Sequence, residues 1–215
     1  MSLGILHNVL TDQQVTTLHE CAKDFTTRNH FLFRDDPVFD TVRQIILPII
    51  EKFEGRDNLY KGFYLNIDYA AGIHTDEYYD RHALNTYLFP LQIEPIDPAK
   101  PYATHTVVFN ESYHSPYQPT DERYDVSEFW RTAPDVQPNC LLLPREYVGH
   151  LVGLTAGVNL KKISLEAAFT WQLGSMIFFP RNRLHASGNT ALTNVRIKRA
   201  LTMFTTGDPI WDGMK

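Results

Sequence analysis

Cysteine is scarce in this chain, which has only Cys21 and Cys140 among its 215 residues. The two lie far apart and form neither a metal-binding nor a redox spacing. This excludes the class of small domains that are held together by several disulfides. We expect two buried thiols in a reducing compartment rather than one disulfide.

Long apolar runs and runs of basic residues are also missing. No apolar stretch approaches the roughly 18 residues that a membrane-spanning helix needs, and residues 1–10 lack the basic start and apolar core of a secretory signal. The net charge is −5 and the basic residues are scattered. Binding to nucleic acid is therefore not expected, because it needs clustered cations to neutralise phosphates. These absences predict a cytoplasmic protein without a membrane partner.

Apolar residues, by contrast, are plentiful. Hydrophobic residues make up 43% of the chain and aromatic residues 13%, which is enough to fill a sizeable core. A strand-rich chain of this length commonly forms one unit. We expect a single domain over residues 1–215, with a helical part at about 11–56 and a β core at about 58–205.

Two helices are predicted near the start of the chain. A capping-box pattern at Thr11 precedes apolar residues at helical spacing, which indicates a helix at about 12–27. A second helix begins at Pro37, a residue favoured in the first turn, and stops near Gly55. Pro48 inside this helix should kink it or end it about one turn early.

From Asn58 onward the hydrophobic period changes from that of a helix to that of a strand, first at 58–67. A helix is expected at 155–168, and the aromatic segment 111–137 is either a lid or a decorated surface loop. Further strands are expected at 70–76, 84–93, 104–110, 139–143, 175–179 and 195–205. These elements predict a mainly β (α+β) fold, a double-stranded β-helix or jelly roll, with the N-terminal helices packed on one sheet.

Three side chains are candidates for a metal site. His74 and Asp76 are two residues apart at a predicted strand end, so their side chains point to the same side, and His185 follows the 175–179 strand. Two imidazoles and one carboxylate on one face of a metal suit non-haem Fe(II), because the opposite face stays open. Nine histidines and 25 acidic residues predict about one His-x-Asp/Glu pair by chance, so a surface turn would also explain the pair.

The strand at 195–205 carries three cations, Arg196, Lys198 and Arg199. If its apolar residues pack under the helices, Lys198 points into the interior, where a carboxylate could bind it. The Arg199 side chain is expected on the opposite face of the strand, and Arg196 lies nearer the strand start. The three cations would also be explained if this were an edge strand exposed to solvent. We expect this strand to run back alongside the 175–179 strand.

Together these motifs resemble those of the Fe(II)/2-oxoglutarate-dependent oxygenases, particularly the prolyl-hydroxylase-like branch. The matching patterns are Tyr-x-x-Gly-x-His-x-Asp at 69–76, Gly-x-x-x-Phe-x-Pro followed by Leu-His at 174–185, and basic-x-Ala-Leu-Thr at 198–202. The basic residue is more often arginine in this branch.

The resemblance implies that His74, Asp76 and His185 bind Fe(II) and that Lys198 binds the far carboxylate of 2-oxoglutarate. Tyr69 resembles a tyrosine that adds a hydrogen bond to this cosubstrate. The resemblance also implies a hydroxylase that uses O₂ to oxidise a small-molecule, amino-acid or peptide substrate. Two alternatives stay open, a cupin-like metal enzyme that does not use 2-oxoglutarate and a catalytically silent binding module. The oligomeric state is left open too.

Overall fold

The computed structural model of the protein describes residues 3–27, 29–33, 36–55, 58–68, 76, 83–112, 165–187 and 193–206. Within these residues there are two helices and nine strands. Several predicted segments lie entirely or mostly outside them, namely the strands at 70–76 and 139–143, the possible lid at 111–137 and the helix at 155–168.

Both N-terminal helices are present. Helix α1 covers Asp12–Cys21 and begins with the predicted capping box at Thr11. Helix α2 covers Pro37–Glu54 and ends at Gly55, whose φ of 76° is in the left-handed region that glycine adopts without strain. In the described part of the chain, neither helix combines the length and the apolar character needed to cross a membrane.

Two details of the helices differ from the prediction. Helix α1 stops at Cys21 rather than near residue 27, and the Phe25 ring instead stacks on His30 with 3.5 Å between ring centroids. Helix α2 continues through Pro48 to Glu54. Pro48 lies on the exposed side of α2, where water can satisfy the carbonyl that loses its helical partner. The buried stripe on the other side keeps the helix continuous.

The nine strands form two antiparallel sheets. Their bounds are β1 Gly4–Leu6, β2 Asn29–Leu32, β3 Leu59–Ile67, β4 Ala83–Pro95, β5 His105–Ser112, β6 Leu165–Thr170, β7 Met176–Pro180, β8 Arg183–Ser187 and β9 Val195–Thr206. The larger sheet has the strand order β1-β7-β4-β9-β3-β2, and the smaller sheet has the order β6-β5-β8. The described residues are therefore mainly β, as predicted.

Two expectations about the strands were wrong, and one strand was not expected. Strand β9 does not lie beside β7, because β4 pairs with both and separates them. His185 follows a strand that ends at Pro180, as expected, but it lies on a further strand, because a short turn carries the chain into β8 of the smaller sheet. Residues 165–168 are not helical but begin β6, whose pairing with β5 buries Ala167 and Phe169 and overrides the local helical pattern.

The larger sheet buries a different core on each face. Its outer face packs under the helices, through a cluster that includes Val42, Ile46, Phe89, Leu201 and Met203. Its inner face meets the smaller sheet, through a cluster that includes Leu88, Val108, Phe169, Phe179 and Ala200. Neighbouring residues on β4 and β9 therefore belong to different cores, because strand side chains alternate. The prediction that the helices cover one sheet is confirmed.

The last residue of α2 attaches this helix to the sheet. The Glu54 carboxylate accepts hydrogen bonds from Asn85 Nδ2 at 2.9 Å, from Thr205 Oγ1 at 2.8 Å, and from the Tyr87 hydroxyl and Asn58 Nδ2. Burial alone would raise the pKa of Glu54, but the hydrogen bonds outweigh it and lower this pKa. The ionised carboxylate is therefore the form that the fold stabilises.

Replacing this carboxylate should destabilise the fold. We expect Glu54→Gln to lower the free energy of unfolding at pH 7 by about 1–3 kcal/mol, since an amide cannot accept all four hydrogen bonds. The pKa is lower in the folded state, so the stabilisation is complete above the unfolded-state pKa and is lost as the pH falls through the folded-state pKa. Urea unfolding from neutral to acid pH should show the native and variant curves converging. The exposed Glu51→Gln on the same helix is the control, and an equal loss in both variants would contradict this role.

Candidate functional site

A cavity of about 80 Å³ lies between the two sheets. Most of its described wall is apolar or neutral, and Asp76 is the only acidic side chain among the described lining residues. The lining residues are Asn29, Phe63, Leu65, Ile67, Asp76, Thr86, Leu88, Thr106, Trp171, Phe179, His185, Ala186, Ser187 and Thr202. A small pocket that combines apolar side chains with several polar ones is suited to a ligand that the polar groups orient.

Asp76 and His185 meet on the wall of this cavity. The distance between Asp76 Oδ1 and His185 Nε2 is 3.7 Å, and both side chains are buried. The Thr86 hydroxyl donates to Asp76 Oδ2 at 2.6 Å. The Asp76 backbone N–H donates to the Arg181 carbonyl at 3.0 Å, in the turn between β7 and β8. Two residues more than a hundred positions apart are thus fixed next to each other.

The orientation of the His185 ring is also fixed. His185 Nδ1 lies 3.1 Å from the Arg183 carbonyl oxygen, and because a carbonyl only accepts, Nδ1 carries the hydrogen. The Phe179 ring packs against the imidazole, with 4.6 Å between ring centroids. The Nε2 atom therefore points toward Asp76. Metal-binding histidines in proteins are held in the same way, with the second ring nitrogen donating to a carbonyl or carboxylate.

The donor set fits a divalent transition metal at this point. An imidazole Nε2 and a carboxylate oxygen converge here, and each ligand is oriented by a hydrogen bond of its own. His74, the third predicted ligand, lies outside the described residues, as does Tyr69. Within the described ranges no group of three potential metal ligands is found, because only two of the predicted three belong to them.

Lys198, the predicted cosubstrate-binding cation, is completely buried on β9 of the larger sheet and reaches toward the start of β5 in the smaller sheet. Its ammonium donates to Thr104 Oγ1 at 3.0 Å and to the His105 carbonyl at 3.4 Å, and lies 4.3 Å from the centroid of the Trp171 ring. No carboxylate lies within ion-pair distance of it among the described residues. Burial lowers the pKa of Lys198 to about 7. Lys198 does not border the cavity directly, whereas Trp171 does.

The two alternative cations are placed elsewhere. Arg196 forms an ion pair with Glu94 on the solvent side and is more than half exposed. Arg199 contacts His19 of α1 and therefore belongs to the helix-covered face. Of the three cations on β9, Lys198 alone reaches the interior between the sheets.

Sequence reasoning missed two residues of the site: Thr86, which orients Asp76, and Trp171, which borders the cavity and contacts the Lys198 ammonium. The only sequence signal for Thr86 was the alternation of side chains along β4, which places Thr86 on the inner face of the sheet. Thr202 borders the cavity, as the alternation along the 195–205 strand predicts, and its hydroxyl has no hydrogen-bond partner among the described residues. An unsatisfied buried hydroxyl is costly, so the position of the Thr202 hydroxyl on the cavity wall fits a polar ligand there.

No protein-family model and no curated protein sequence matches the chain. Among solved structures, an oxidoreductase of the 2OG-Fe(II) oxygenase family from Burkholderia pseudomallei is similar, with a TM-score of 0.50 and 10% identity over 94% of this chain and 84% of that chain.

A second similar structure is that of SnoN, a non-heme alpha-ketoglutarate-dependent epimerase from nogalamycin biosynthesis. Its TM-score is 0.50, at 12% identity over 98% of this chain and 84% of that chain. At such identities the similarity establishes the fold and nothing finer. The chain has the fold of the Fe(II)/2-oxoglutarate oxygenases.

Proposed function

We propose that this chain is a non-haem Fe(II)- and 2-oxoglutarate-dependent dioxygenase, a hydroxylase that couples decarboxylation of 2-oxoglutarate to oxidation of a small-molecule, amino-acid or peptide substrate. The observation that carries the proposal is the buried Asp76–His185 pair on the wall of a cavity between the two sheets, together with a lysine buried between the same sheets that has no acidic partner among the described residues. We further propose that the two sheets form a double-stranded β-helix within a single domain.

In this proposal His74, Asp76 and His185 hold the metal. Bound iron supplies the activation of O₂, which protein side chains alone cannot carry out. The Thr86 hydroxyl keeps the Asp76 carboxylate turned toward His185, and the Arg183 carbonyl keeps the Nδ1 tautomer that leaves Nε2 facing the same point. Both contacts supply the orientation that a metal site requires before the ion arrives.

Lys198 and Tyr69 bind the cosubstrate in this proposal. A buried ammonium without a counter-charge is costly, and an incoming carboxylate removes that cost. The apolar wall formed by residues such as Phe63, Leu88 and Phe179 excludes water, which strengthens the attraction between the two charges. The cavity thus combines a metal site with a means of holding a dicarboxylate.

Anaerobic titration tests the function directly. Fe(II) and 2-oxoglutarate together should give a weak visible charge-transfer band, and O₂ should then give succinate. Both signals should be lost in His185→Ala and kept in His7→Ala, a matched change at an exposed histidine.

Other results of that titration would contradict the proposal. Metal binding that is indifferent to 2-oxoglutarate would identify the cupin-like alternative instead. Binding of neither metal nor 2-oxoglutarate would identify a catalytically silent module.

The Thr86 hydroxyl should matter for metal affinity. We expect Thr86→Val to weaken Fe(II) binding by about 10- to 100-fold, because Asp76 then loses the hydrogen bond that orients it. Competition with a chelator measures this affinity. Thr16→Val, at an exposed position of α1, is the matched control and should bind Fe(II) like the native protein. Unchanged affinity in Thr86→Val would show that this hydrogen bond does not prepare Asp76 for the metal.

Lys198 should lower the stability of the ligand-free protein. We expect Lys198→Met to raise the free energy of unfolding at pH 6 by about 1–4 kcal/mol, because a buried charge is replaced by an apolar side chain of similar length. The pKa of Lys198 is about 7 in the folded state against its usual 10.5, so the cost is complete below pH 7 and is relieved as the pH rises toward 10.5.

Thermal melting at several pH values measures this difference, which should shrink as the pH increases. Lys52→Met, at an exposed position of α2, should change little at any pH. A destabilised Lys198→Met variant at pH 6 would mean that the lysine already has a counter-charge in the ligand-free protein.

A further inference from the structure

Trp171 connects the cavity to the buried lysine. Its side chain borders the cavity and is only 5% exposed. The Lys198 ammonium lies 4.3 Å from the centroid of the same indole. Since Lys198 is not among the described residues that line the cavity, the indole is the part of the described wall against which the ammonium rests.

The indole is held in a fixed orientation. Its Nε1–H donates to the Thr106 hydroxyl at 2.8 Å, and the Trp171 backbone N–H donates to the Thr104 carbonyl at 2.8 Å. The hydroxyl of the same Thr104 accepts from Lys198 Nζ. Trp171 and Lys198 are therefore linked twice, directly through the ring and indirectly through Thr104, the residue before β5.

The ring contact is energetically important because of what surrounds the ammonium. A lysine ammonium has three N–H donors, and the described structure offers it two neutral oxygen acceptors, at 3.0 Å and 3.4 Å. The face of an indole attracts a cation most strongly where water is excluded. The Trp171 ring thus supplies part of the stabilisation that a carboxylate would supply once bound.

We propose that Trp171 is a positioning residue, which holds the Lys198 ammonium against the cavity wall and so makes the site selective for a 2-oxo acid with a second carboxylate. This inference rests on the proposed function. Trp171 acts on the distal carboxylate through Lys198 and does not act on the 2-oxo acid end, which belongs to the metal site at Asp76 and His185.

Two ligands separate this role from a merely structural one. 2-Oxopentanoate has the same carbon chain as 2-oxoglutarate, with a methyl group in place of the distal carboxylate. Each is titrated anaerobically into the Fe(II)-loaded protein, and binding is followed by the visible band and by the rise in melting temperature. In Trp171→Leu we expect the affinity for 2-oxoglutarate to fall by about 10- to 30-fold while that for 2-oxopentanoate stays unchanged.

Two further variants keep the test decisive if Trp171→Leu folds poorly. Trp171→Phe keeps an aromatic face and should recover most of the lost 2-oxoglutarate affinity. Thr106→Val keeps the indole but removes the hydrogen bond that orients it, and should give a smaller loss that is again confined to 2-oxoglutarate.

Two outcomes would contradict the role proposed for Trp171. An equal loss for both ligands would show that Trp171 only shapes the pocket, and an unchanged affinity for 2-oxoglutarate would show that it does not position Lys198. Either result overturns the inference but leaves the proposed function intact. If the native protein binds neither 2-oxo acid, the proposed function fails and the inference fails with it.

Discussion

The alternation of side chains along β9 is the constraint on which the site depends. Leu201 and Met203 pack under the helices, while Lys198, Ala200 and Thr202 face the space between the sheets. A shift of one residue in the pairing of β9 with β3 and β4 would exchange the two sets. The apolar contacts that fix the helices therefore also direct the lysine inward.

The buried polar groups of the inner face have a common character. The Asp76 carboxylate accepts from the Thr86 hydroxyl, and the Asp76 backbone N–H donates to the Arg181 carbonyl. Lys198 is surrounded by neutral acceptors and an aromatic ring. Neither arrangement would be favoured for stability alone, since charged groups lose hydration when they are buried. Such departures from the rules of stable packing are expected where a ligand binds. The opposite charges lie apart rather than paired, which leaves each one available to a ligand.

Much of the fold was predictable from local patterns, but the arrangement of strands was not. The capping box at Thr11 and the parity of β9 are local signals, and both were interpreted correctly. The order of strands depends on long-range pairing, so the placement of β4 between β7 and β9 and of His185 on β8 could not be predicted. The roles of Thr86 and Trp171 depend on which side chains face them across the sheets, and no spacing in the sequence indicates them.

The central claim is that a metal ion binds between Asp76 and His185, with a dicarboxylate reaching toward Lys198. A crystal structure of the protein grown anaerobically with Fe(II) and 2-oxoglutarate, with data collected at the iron absorption edge, tests it most directly. We expect one anomalous peak within bonding distance of His185 Nε2, an Asp76 oxygen and His74, with the far carboxylate paired to Lys198. A peak elsewhere, or a carboxylate of the chain already bound to Lys198, would contradict the claim.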